Sequence, residues 1–145
     1  MSKYTDEERL DRACLRVAMH IRGLYEERGS SDTRLLEALF IPDEFTVVGQ
    51  SEAYAGKGRR EHVVPRRVIV KECHEMLRNG RDDAEIARFI KDHVKIVLIT
   101  PEECERLDRK VHYGLRQSMP KGWVVGDDVF ARLVTAGISW TPNGD

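Results

Sequence analysis

Lys95-Ile96-Val97-Leu98-Ile99-Thr100-Pro101-Glu102-Glu103 constrains the fold more than any other stretch of this chain. Ile96 to Ile99 is an uninterrupted aliphatic run, mostly β-branched, which is the composition of a buried strand. Thr100 then offers an N-cap hydroxyl, and Pro101 fits the first helical position, where its missing N–H costs nothing. Glu102 and Glu103 place acid at the positive end of the helix dipole. A buried strand therefore passes directly into a helix, which carries Cys104 and Leu107.

The remaining punctuation predicts further helices around a short sheet. Thr5-Asp6-Glu7-Glu8 is a capping box, and Leu10, Ala13, Cys14, Val17, Ile21, Leu24 and Tyr25 recur at helical spacing until Gly29. His20 falls beside this stripe. A second helix from Ser31 or Asp32 is expected to carry Leu35, Leu36, Leu39 and Phe40 and to end before Pro42. Phe45 to Gly49 reads as a strand, and the Gly-rich segment 55–58 as a turn into another strand at 60–64, together a hairpin. Pro65 ends that strand and opens a helix bearing Ile69, Cys73, Met76 and Leu77 up to Asn79-Gly80. Asp82-Asp83 starts the next, with Ile86, Ala87, Ile90 and Val94 inward. Asp127-Asp128 caps a last helix with Phe130, Leu133 and Val134 before Gly137.

The expectation is one α+β domain: a short antiparallel sheet with surrounding helices. It has an N-terminal helical part at about 5–40, a core at about 45–112 and a C-terminal helical segment at about 118–140. A chain of 145 residues is long enough for one real core and short for two. Hydrophobic content of 41% beside 34% charged residues is that of a globular protein with a charged surface. The sequence contains no bilayer-length apolar run and no leader-like N-terminus, so a cytoplasmic location without membrane partners is expected. Cys14, Cys73 and Cys104 are an odd, widely spaced set, which fits reduced thiols.

The net charge of −1 hides a local excess of positive charge: residues 56–71 hold six basic side chains and one acid. Within Arg59-Arg60-Glu61-His62-Val63-Val64-Pro65-Arg66-Arg67, an acid and a histidine sit side by side at the head of a β-branched run. Neighbouring side chains on a strand point to opposite faces, so Glu61 and His62 diverge unless the strand twists or ends there. That pairing suits a metal ligand beside a general base, and Lys57, Arg59, Arg60, Arg66 and Arg67 suit phosphate. A single basic patch, on a chain that is not basic as a whole, grips a nucleic-acid backbone at one place.

Glu61-His62-Val63-Val64-Pro65, followed later by Lys95 to Cys104, resembles the HNH or ββα-metal endonucleases. The resemblance implies a ββα substructure through residues 45–64, 95–100 and 101–112. It also implies His62 as the base that activates water and Glu61 as a ligand of a divalent ion, magnesium or manganese. Cys104 stands where that family has a helix ligand, with Glu103 and Glu105 on either side. A hard cation prefers their carboxylate oxygens to a thiolate. The function implied is a small metal-dependent nuclease, or a catalytically degenerate relative that binds nucleic acid without cutting it.

Two other classes of function have some footing. Met76 to Ile90 resembles the first two helices of a helix-turn-helix DNA reader, with the strand at 95 standing where a further helix belongs. A phage or mobile-element protein that inhibits a host nuclease complex by binding it is the second, with Trp123 and Trp140 as interface anchors. Packing of the C-terminal segment onto its own domain is the plainer use of those tryptophans. His74 could join His93 or His112 around a metal, but Cys73, His93, Cys104 and His112 match no metal module by spacing.

Overall fold

Thr5 accepts a hydrogen bond from the Glu8 amide at 3.1 Å, and the Glu8 carboxylate accepts one from the Thr5 amide at 3.2 Å, so the first long helix opens on the expected box. The computed structural model describes residues 2–109 and 113–144. The chain divides into two compact units, residues 1–46 with 69–94 and residues 47–68 with 95–145.

In the first unit, α1 (Asp6–Arg28) buries Ala13, Cys14, Val17, Ala18 and Ile21 and ends at Gly29, whose φ of 73° is the left-handed cap that a side chain disfavours. A 3-10 turn (Thr33–Leu36) and α2 (Asp43–Thr46) follow. The second helix expected through Phe40 is cut short. Leu35 and Leu36 are buried, whereas Leu39 is 85% exposed, so the apolar spacing after Leu36 does not mark a core face. α3 (Arg66–Arg78) belongs to this unit from Ile69 onward, and α4 (Asp83–His93) is capped by Asp82 and packs its buried Ile86, Ala87 and Ile90 towards α1. Arg22 of α1 reaches Asp83 at 2.6 Å and the Arg81 carbonyl at 2.7 Å.

The second unit holds a four-stranded sheet of β1 (Val47–Ser51), β2 (Arg59–His62), β3 (Ile96–Ile99) and β4 (Trp140–Pro142), in the order β2-β3-β1-β4. This corrects two expectations. β1 and β2 do not form a hairpin, because β3 lies between them. The sheet is also mixed, since β1 pairs parallel with β3 while β2–β3 and β1–β4 are antiparallel. The most apolar strand takes an interior place, where both edges are hydrogen-bonded. The chain from 52 to 95 supplies the length that a parallel pairing needs. Two glycines admit close backbone neighbours: a Cβ at Gly58 would strike the Ile99 carbonyl, and one at Gly49 would strike Thr141 and the Trp140 ring.

α5 (Pro101–Asp108) leaves β3 through Thr100, as the cap signals require. α6 (Ala131–Thr135) is shorter than expected, and Asp128 holds the turn before it by accepting from the Phe130 amide at 3.0 Å. Among the described residues no helix is long and apolar enough to cross a membrane. All three cysteines are free.

Candidate functional site

β2 alternates as a strand must. Glu61 turns inward and is 7% exposed, Arg59 lies on the same side, and by alternation Arg60 and His62 take the other. Arg60 is exposed and His62 half-buried. The acid and the histidine of the motif thus diverge. β2 runs antiparallel to β3 with His62 opposite Ile96, and β3 leads into α5, which gives a strand–strand–helix unit with residues 66–93 between its strands.

Both oxygens of Glu61 are engaged by guanidinium groups. Oε1 accepts from Arg132 Nη2 at 2.8 Å and Oε2 from Arg59 Nη2 at 2.6 Å. Arg132, on α6, is wholly buried and its fork is fully used: Nε donates to the Leu115 carbonyl at 2.9 Å and Nη1 to the His62 carbonyl at 2.7 Å. Arg59 reaches past Glu61 to α5, donating to Asp108 at 2.7 and 3.0 Å. The result is an alternating chain of charges, Arg132, Glu61, Arg59 and Asp108. Burial lowers the pKa of Arg132, with Glu61 opposing it, whereas the hydrogen bonds to Asp108 raise that of Arg59. Cys104, one turn before Asp108 on α5, senses the same charges. Burial raises its thiol pKa, and the Arg59 guanidinium pulls it back.

The other expected metal ligands have different employment. Glu103 is buried, and its Oε1 accepts from the Thr100 amide at 2.9 Å and the Ser51 hydroxyl at 2.6 Å, which makes it part of the helix cap and of the tie to β1. Glu105 is exposed and pairs with Arg109 at 2.5 Å. No three His, Cys, Asp or Glu side chains among the described residues are grouped to hold a metal ion. The residues do not fit a divalent ion: the cation between Glu61 and Asp108 is Arg59.

The basic residues surround β2. Lys57 precedes it and is exposed; Arg66 and Arg67 follow it, half-buried and exposed, as the first two residues of α3. α3 has no acid in its first turn, unlike α1, α4 and α5, whose first turns carry Asp6, Glu7 and Glu8, Asp83 and Glu85, and Glu102 and Glu103. Arg67 donates to the Gln117 side chain at 3.3 Å.

The other described residues singled out have local partners. His74 bonds to the Ser31 hydroxyl at 2.7 Å, His93 donates through Nδ1 to the Phe89 carbonyl at 2.7 Å, and His112 lies outside the described residues. The Trp123 indole donates to the Asp128 carbonyl at 2.8 Å, and Trp140 packs on Phe130 with ring centroids 4.7 Å apart. α4 is followed by β3, so the chain beyond the helical pair is a strand.

No known family model, curated protein or solved structure matches the chain. Asp108 and Arg132 are the two site residues that sequence reasoning missed. Asp108 carried a usable signal, standing at i+4 from Cys104 on the same helix face. Arg132 carried none, being a single charge on a five-residue helix.

Proposed function

We propose that the chain is a nucleic-acid-binding protein built on its strand–strand–helix unit, a degenerate relative of the HNH type that binds a phosphate backbone without cutting it. The observation that carries this reading is the density of positive charge around β2: residues 56–71 hold six basic side chains and one acid, and that acid, Glu61, is turned inward and buried. Exposed Arg60 and Lys57 extend the same charge along β2. Arg59 contributes structure rather than phosphate contact in this reading, since Glu61 and Asp108 already hold it. The same pairing argues for binding over cleavage, because the carboxylates that would hold an ion are neutralised internally.

The test is fluorescence anisotropy with labelled duplex and single-stranded oligonucleotides over a salt series, with magnesium, manganese or chelator. Expected are binding that persists in chelator, no cleavage, and a shallower slope of log affinity against log salt in Arg60→Ala/Arg66→Ala/Arg67→Ala. Metal-dependent cutting that disappears in His62→Ala would restore the nuclease reading. An unchanged salt slope in the triple variant would remove the patch as the binding surface. A second reading, docking on a protein partner, draws on the exposed Val124, Val125 and Val134, at 62%, 44% and 68%. Absence of any nucleic-acid binding would favour it.

A further inference from the structure

α1 has a second face that its own unit does not cover. Leu15 and Met19 are 39% and 54% exposed. At 3.6 residues per turn, Arg12, Leu15, Met19, Gly23 and Glu26 fall within an arc of about 80°. A groove of about 450 Å³, lined by Arg16, Met19, His20, Gly23, Leu24 and Glu27, flanks one edge of this arc and shares Met19 and Gly23 with it. Gly23 is the odd residue there. Glycine in a helix interior is unfavourable relative to alanine. Nothing among the described residues demands it either, since an added Cβ would meet only the Glu27 carboxylate there, at 3.7 Å.

We infer that this face is where two copies of the chain pair, antiparallel, about a two-fold axis at Met19. In that register Met19 meets the partner's Met19, Leu15 covers the partner's Gly23, and Arg12 stands beside the partner's Glu26. Gly23 has a use at that point, because it lets the leucine sit close to the opposing backbone. The charges select the direction. A parallel pair sets Arg12 against the partner's Arg12 and Glu26 against the partner's Glu26, whereas the antiparallel pair makes two opposite-charge contacts. Arg12, Met19 and Glu26 also recur at the seven-residue interval that keeps one seam of a helix facing another. Inside one chain Arg12 stacks on Tyr4 at 4.2 Å and Glu26 pairs with Arg22 at 3.5 Å, both exposed contacts that yield readily to a partner. One helix pair buries less than the roughly 1,200–2,000 Å² of a standard interface, so the dimer is weak and concentration-dependent.

Sedimentation velocity on the full chain, from low to several hundred micromolar, tests it. The expected result is a mass that rises from 16.7 kDa towards twice that value with concentration. Arg12→Glu and Glu26→Arg should each weaken dimerisation about tenfold, and the double reversal should recover most of the loss. Met19→Lys should leave a monomer, with far-UV circular dichroism confirming that the helix persists. A wild-type chain that stays monomeric throughout overturns the inference, as does a dimer indifferent to the single reversals or a double variant no better than either one.

Discussion

Arg59 and Asp108 hold each other through two hydrogen bonds of 2.7 and 3.0 Å, and the same guanidinium takes Glu61 at 2.6 Å. Glu61 is thereby an acid of the interior, balanced by two arginines.

Removing Arg132 tests that most severely. Arg132→Met leaves Glu61 buried with half its compensation gone, and the chain should lose about 3–5 kcal/mol in urea denaturation. Glu61→Gln should also destabilise, and the double variant should lose less than the sum of the two, because one network is broken once. Strict additivity would dissociate the pair.

Arg59→Lys keeps the charge and gives up the planar fork that spans two carboxylates. Because Arg59 is partly exposed, a loss of only about 1 kcal/mol is expected, read from the urea midpoint. A neutral result would show that charge alone suffices.

His74 gives stability a slope with pH. Burial and the nearby Arg78 lower its pKa from the ordinary 6.5. The unfolded chain therefore takes up a proton before the folded chain does, so this contribution is complete above pH 6.5 and shrinks as pH falls below it. His74→Asn should flatten the pH 5–7 part of the stability curve, measured by urea midpoint at each pH.

The thiols should differ in reactivity. Burial pushes both Cys14 and Cys73 up to about 12, while Cys104 is half-buried with a smaller rise. A disulfide dye at mildly alkaline pH should titrate Cys104 alone in the folded chain and all three thiols in denaturant. Cys104→Ser should leave the native protein unlabelled.

Ser51 donates to a carboxylate that also caps α5. Ser51→Ala leaves Glu103 buried with one fewer donor, and a loss of about 1–2 kcal/mol is expected by thermal or urea melting.

The parts of the fold legible in sequence are those whose chemistry is local. Thr5 with Glu8 and Thr100 with Glu103 close their helices within four residues, so the boxes stand where the spacing puts them. The pairing of strands is different. Nothing in Val47 to Ser51 says that it lies beside Ile96 rather than Arg59, because that choice rests on which strand fills the middle of the sheet. The site divides the same way. Glu61 and His62 are conspicuous as neighbours, but what Glu61 does is decided by Arg132, about 70 residues on, whose own sequence surroundings are unremarkable.

The place of β4 has a kinetic consequence. β1 finds its outer neighbour only at Trp140–Pro142, and Asn143 fastens to the Val47 carbonyl across 96 residues. During synthesis β1 therefore emerges long before the strand that covers its edge. In that interval Val47 to Ser51 presents open amides and carbonyls to any other extended chain. Pairings of such long sequence separation also close slowly, because the loop entropy must be overcome before the contact rewards it. The growing chain is thus most prone to aggregate after β1 has appeared and before β4 has, and a ribosome-bound intermediate halted in that window should be the form that chaperones hold.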